Sequence, residues 1–222
     1  MKKAFLSPFF SPLFYGILWG LLLAIVLTFF PEQKFEITTD GQIIDILTYT
    51  GYALMLITML LFVKDFKGKM LSWIIFFLLG VAALLREAGI QHHLTSTDST
   101  PFKSRFFFNP QNPISEKILY GAVLLVIFGA LAYLAFKYAK HLVVSFFKLN
   151  TITWSIATFC SVLLFAKFAD RFPSHWRHTH ELDRLPRSFI DIWSFLEESS
   201  ELFLPYLVII AFTQYHLLKK KS

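Results

Sequence analysis

The chain has 222 residues, 55% of them hydrophobic and 16% charged, with a formal net charge of +6. Soluble domains usually carry about 25% charged residues, so this composition excludes an ordinary soluble globule. The basic residues punctuate apolar runs and form no stripe with polar contacts, which excludes nucleic-acid binding. Cys160 is the single cysteine, so no intrachain disulfide is expected, and its place in an apolar run predicts a buried, inert thiol.

Taken in order, the apolar runs lie at 13–30, 43–63, 70–87, 118–136, 152–169 and 190–218. Most approach the ~20 residues that cross about 30 Å of hydrocarbon. Within the third and fifth, the apolar stretches 70–85 and 152–168 need their flanking residues to complete a crossing. Lys2 and Lys3 ahead of the first run resemble the start of a signal peptide. That run is too long for one, and Phe29-Phe30-Pro31-Glu32 offers no small-residue cleavage site, so an uncleaved first helix is expected. The reading is an all-α integral membrane protein, a single membrane domain over 1–222 and a polytopic bundle of about six transmembrane helices. The halves share no motif, and no pair of Gly/Pro-broken helices marks a transporter midplane site.

Six spans put both termini on one side. That side collects Lys2, Lys3, Lys64, Lys67, Lys69, Lys137, Lys140, Lys148, Lys219, Lys220 and Lys221, 11 basic residues against the single acid Asp65. The positive-inside rule therefore predicts both termini in the cytoplasm, and the inner (plasma) membrane of a bacterium as the location. All six arginines and five of the seven histidines fall on the other face. Two outer loops are expected there, 88–117 and 170–189. In the first, Phe106-Phe107-Phe108 predicts a segment lying back on the membrane surface, and Asn109-Pro110 and Asn112-Pro113 predict turns.

Four groups of residues on the outer face suit chemistry. Asp191, Glu197, Glu198 and Glu201 lie within three turns of the last helix. Acids inside a membrane helix are costly and mark function, whereas 202–218 is apolar enough to span and would leave the same acids in interfacial water. Arg86 and Glu87 end the third helix, and Arg86 is the Arg that the apolar pattern places within a helix, so a pair with Glu197, Glu198 or Glu201 is expected. His175, His178 and His180 have spacings that fit a divalent metal on either a strand or a helical turn. Arg105, Arg171, Arg177, Arg184 and Arg187 suit the fork geometry of phosphate or carboxylate recognition, and equally a general anchor to anionic lipid.

Phe172-Pro173-Ser174-His175 resembles the Pro-Ser-Gly-His element of membrane phosphatases of the phosphatidic-acid-phosphatase type, over four residues. It lacks the Gly and the downstream Ser-Arg, His and Asp, and the match is rejected. The alkaline ceramidase pattern needs two histidines four apart, and this chain has none.

Two functions follow. One is an enzyme acting on a lipid or lipid-linked anionic substrate at the outer leaflet. There Glu87, Glu198 and Glu201 act as acid, base or metal ligands, His175, His178 and His180 hold a metal, and Arg86, Arg105, Arg177 and Arg184 clamp the headgroup. The other is a non-catalytic assembly factor, sensor or subunit whose outer loops bind a partner. A b-haem or quinone protein is weakest, because His141 and His216 fall on one side and His92 on the other.

Overall fold

The computed structural model describes residues 2–29, 43–90, 95, 104–181 and 183–220. Every regular element among them is helical: α1 (Lys2–Phe5), α2 (Phe10–Phe29), α3 (Ile43–Leu61), a 3₁₀ turn at Val63–Phe66, α4 (Met70–Glu87), α5 (Ser104–Phe108), α6 (Ile114–Phe147), α7 (Thr151–Thr179) and α8 (Arg187–Lys219). Five of these, α3, α4, α6, α7 and α8, are long and apolar enough to cross a membrane, and Phe10–Ile25 of α2 is a shorter apolar stretch. The architecture fits a multi-pass membrane protein. Its surface agrees. Phe136 is 89% exposed and Leu125 74%, side chains that a lipid surround would cover and water would not tolerate in such number.

The helices run past the apolar runs. With 34 residues, α6 is about 51 Å long at ~1.5 Å per residue, well beyond ~30 Å of hydrocarbon. Similarly, α7 continues through Thr179, so most of the expected outer loop 170–189 is helix. Backbone hydrogen bonding in a helix is local, and it persists where the side chains turn polar. Asn150 caps α7 by accepting from the amides of Ile152 and Thr153 at 3.1 and 3.2 Å. Just before it, Leu149 takes a left-handed φ of 52° to reverse the chain. Cys160, expected to be buried, is exposed on α7.

The chain divides into two compact units, Met1–Asp65 with Ser145–Ser222, and Phe66–Val144. In the first, α8 is the central helix and packs on α7, α3 and α2. Its contacts with α7 run in opposite directions along the two helices, Ser155 to Gln214 and Lys167 to Glu201, so the pair is antiparallel. Against α3 the approach is close. A Cβ on Gly51 would stand 2.8 Å from Pro205 Cγ and 2.9 Å from Tyr206 Cε2, so no larger residue fits without movement. Ile44, Phe195, Leu202 and Phe203 form one apolar core here, and Val162, Leu204 and Leu207 another.

Polar groups fasten the lysine-bearing end of this unit. Ser155 Oγ donates to Gln214 Oε1 at 2.6 Å and shares a 2.5 Å hydrogen bond with Ser11 Oγ. Gln214 Nε2 donates to the carbonyl of Phe5 at 2.9 Å, and Thr151 Oγ1 to that of Leu6 at 2.7 Å. The N-terminal residues are thus held by side chains of α7 and α8. Nearby in sequence, His216 Nδ1 meets Asp65 Oδ2 at 2.5 Å with Phe62 stacked on its ring, and Lys219 Nζ donates to the Asp65 carbonyl.

In the second unit α5 packs on α6, and the segment that follows α5 folds back onto it. Phe106 is fully buried, edge-on to Tyr120, and Asn112 Nδ2 donates to its carbonyl at 2.7 Å. The expected turn is present, with Asn109 Oδ1 accepting from the Gln111 amide at 3.0 Å. The Phe triplet does not act alike at each position, since Phe106 is an internal anchor while Phe108 is exposed.

Candidate functional site

The polar layer of the first unit forms on α8, where Glu197 and Glu201 meet α7 and Ser199 and Ser200 meet α2. Lys167 of α7 is the cation that meets it. Its Nζ donates to Glu201 Oε1 at 2.6 Å and lies 3.9 Å from Glu197 Oε1. The Glu201 side chain is only 7% exposed, against 38% for Lys167. One ammonium therefore serves two carboxylates, one of them almost completely withdrawn from solvent. Beside them Ser199 and Ser200 are fully buried. Trp19 Nε1 of α2 donates to Ser199 Oγ at 3.2 Å, and Tyr15 OH lies 3.4 Å from Ser200 Oγ. Tyr15 and Trp19 are four apart in sequence and so share a face of α2.

Why the layer forms here follows from its neighbours. Pro205 has no N–H, so the helical bond that residue 205 would give to the Glu201 carbonyl is missing. On one side of the pair lies the apolar cluster of Val162, Leu204 and Leu207. Further along the hairpin is a cluster of tilted and edge-on rings, with Phe172 and Trp193 centroids 4.1 Å apart and Phe168, Trp176 and Phe189 around them. Aromatic side chains of this kind gather at membrane–water boundaries. Measured along their helices from Lys219 and Thr151, Glu201 and Lys167 stand roughly 27 and 24 Å away at ~1.5 Å per residue. A crossing of ~30 Å that began at those two helix ends would extend just past both residues.

The expected site residues fall as follows. Glu201 and Glu198 lie on α8, Glu198 half-buried. Arg177 is exposed near the end of α7, and Arg184 is exposed in the connection to α8. Arg86 and Glu87 close α4 in the other unit, 3.9 Å apart. Arg105 belongs to α5, with its side chain outside the described residues, and His92, His93 and Asp98 also lie outside them. The histidines resolve to the helical alternative. His175 and His178 are exposed one turn apart, and His180 folds its ring onto Trp176 with centroids 4.0 Å apart. Among the described residues no three His, Cys, Asp or Glu side chains come together as a metal site.

Lys167 carries the layer and is absent from the groups singled out in the sequence. The signal was present in Phe165-Ala166-Lys167-Phe168, a lysine inside an apolar run. By the argument that drew attention to the acids of α8, it asks for a partner. Comparisons with protein families, characterised proteins and solved structures find no match to this chain.

Proposed function

We propose that this multi-pass membrane protein works at the Glu201–Lys167 layer, holding the anionic head of a lipid or lipid-linked substrate there and using Glu201 to take up or release a proton. One observation carries the reading: a carboxylate 7% exposed, in a helix that is apolar-rich over the next 17 residues, meets a lysine from a second apolar helix. Ionisable groups at such depth are costly and mark function by default. Lys167 remains partly exposed, so an anionic head can draw it from Glu201 and leave the carboxylate to handle a proton. Arg177 and Arg184 are the guanidinium groups of this unit assigned to the head, and Glu198 is the second carboxylate. Arg86, Glu87 and Arg105 stay outside the proposal.

The non-catalytic alternative has its own support. Lys167 is bonded to Glu201, and the indole and phenol of α2 rest on Ser199 and Ser200, an arrangement that also locks three helices, α2, α7 and α8, together. The experiment that separates them compares lipid extracts from cells lacking the protein with extracts from cells complemented by wild type or Glu201→Gln. The proposal expects one anionic lipid species to change in the deletion, to recover with wild type and to stay changed with a fully expressed Glu201→Gln protein. Identical lipid profiles in deletion and wild type would reject the enzyme and leave the assembly role.

A further inference from the structure

A second polar cluster lies in the other unit, on the lysine-bearing ends of α4 and α6. Lys137 follows directly on the apolar run 118–136, which places it where the hydrocarbon should give way to headgroups. Its Nζ donates to Ser72 Oγ of α4 at 2.9 Å and to the Tyr133 hydroxyl at 2.8 Å. The Tyr138 hydroxyl donates to the same Ser72 Oγ at 2.9 Å, and Ser72 is 1% exposed. Both tyrosine rings face the ammonium, 5.1 and 5.5 Å from their centroids.

This is not how a lysine behaves when it only marks topology. Such a side chain extends toward water and keeps its rotamer freedom. Lys137 is drawn back against α4 and held by hydroxyls, at a cost in side-chain entropy. Its polar partners among the described residues are neutral, and no carboxylate there pairs with it. An ammonium has three donors, two of which are engaged here, so one is left for a ligand. Glu87 and Glu116, described acids of this unit, stand at the opposite ends of α4 and α6. Lys67, Lys69 and Lys140 add positive charge at the near ends.

We propose that Lys137, Ser72, Tyr133 and Tyr138 form a binding site for the phosphate of an anionic lipid in the leaflet on the lysine-bearing side. The ammonium takes a non-bridging phosphate oxygen, and the hydroxyls keep it aimed. A lipid phosphate fits better than a free one because the flanking Leu71, Ile74 and Phe136 expose apolar side chains on which an acyl chain can lie. Basic sites between membrane helices on the cytoplasmic side bind such headgroups.

The test is native mass spectrometry of the purified protein titrated with phosphatidylglycerol or phosphatidylcholine, with and without excess inorganic phosphate. Wild type should retain phosphatidylglycerol selectively, and inorganic phosphate should not displace it. Lys137→Met should weaken retention roughly tenfold or more, as for loss of a charge-assisted bond. Lys148→Met, one lysine lost elsewhere, should weaken it about fivefold at most. The charge-neutral pair Tyr133→Phe with Tyr138→Phe should also weaken it severalfold, and this arm decides alone if the Lys137 variant does not fold. Equal effects of Lys137→Met and Lys148→Met, or an unchanged tyrosine variant, would overturn the site. Displacement by inorganic phosphate would overturn the lipid as its ligand.

Discussion

Lys167 Nζ stands 2.6 Å from Glu201 Oε1, so one charge-assisted hydrogen bond joins the middle of α7 to α8 four residues ahead of Pro205. The position explains the local design. The proline removes a backbone donor, Ser199 and Ser200 are buried against α2, and Glu201, which follows them, has its cation on the neighbouring helix. Truncating Lys167 removes the ammonium bonded to Glu201, and truncating Glu201 leaves Lys167 only the longer 3.9 Å approach to Glu197.

The close crossing of α3 and α8 gives a simple packing test. Gly51→Ala would set a methyl 2.8 Å from Pro205 Cγ, and overpacking of this kind costs ~1–3 kcal/mol. Gly129→Ala, on α6 with open space around it, should be neutral or slightly stabilising through helix propensity. Thermal unfolding in detergent should show a lowered midpoint for the first and none for the second.

Gln214 should govern the N-terminal residues. Replacing it by Leu removes the donor to the Phe5 carbonyl and the acceptor for Ser155 Oγ, at about 1–3 kcal/mol per group left unsatisfied. Hydrogen exchange over residues 2–9 should accelerate in Gln214→Leu while the centre of α8 stays protected. Uniform exchange in both proteins would contradict the fastening described here.

Orientation rests on the lysines and is directly measurable. Reporter fusions after Asp98 and after Lys148 should report opposite faces of the membrane, with Lys148 cytoplasmic. Fusions reporting the same face would remove the six-span topology.

Much of the helical plan was legible because hydropathy registers lipid-facing surface: α4, α6, α7 and α8 each contain the run that announces them, and α3 covers all but the last two residues of its run. Helix ends were not, since residues 170–179 continue α7 on the strength of local backbone bonds and of rings such as Phe172 packing on Trp193. The acids of α8 were visible as charges in the wrong place. Their partner was not, because the pairing of residue 167 with residue 201 depends on the antiparallel register of the hairpin, which no local pattern encodes. The histidines illustrate the same limit, since spacing allowed a strand or a helix and only the fold selects the helix.

The central claim is that the Glu201–Lys167 pair is kept for function, and a pair of replacements tests it most directly. Breaking one partner of a fully buried pair costs ~3–5 kcal/mol, and less here because Lys167 is 38% exposed and keeps Glu197 at 3.9 Å, whereas replacing both with apolar residues of similar size is often neutral. Glu201→Leu and Lys167→Leu should each lower the amount of folded protein in the membrane, and the double replacement should restore it. The decisive readout is the lipid profile of cells carrying the double variant at wild-type protein level. The account predicts the profile of the deletion strain. A wild-type profile would contradict it and reduce the pair to a bolt between two helices.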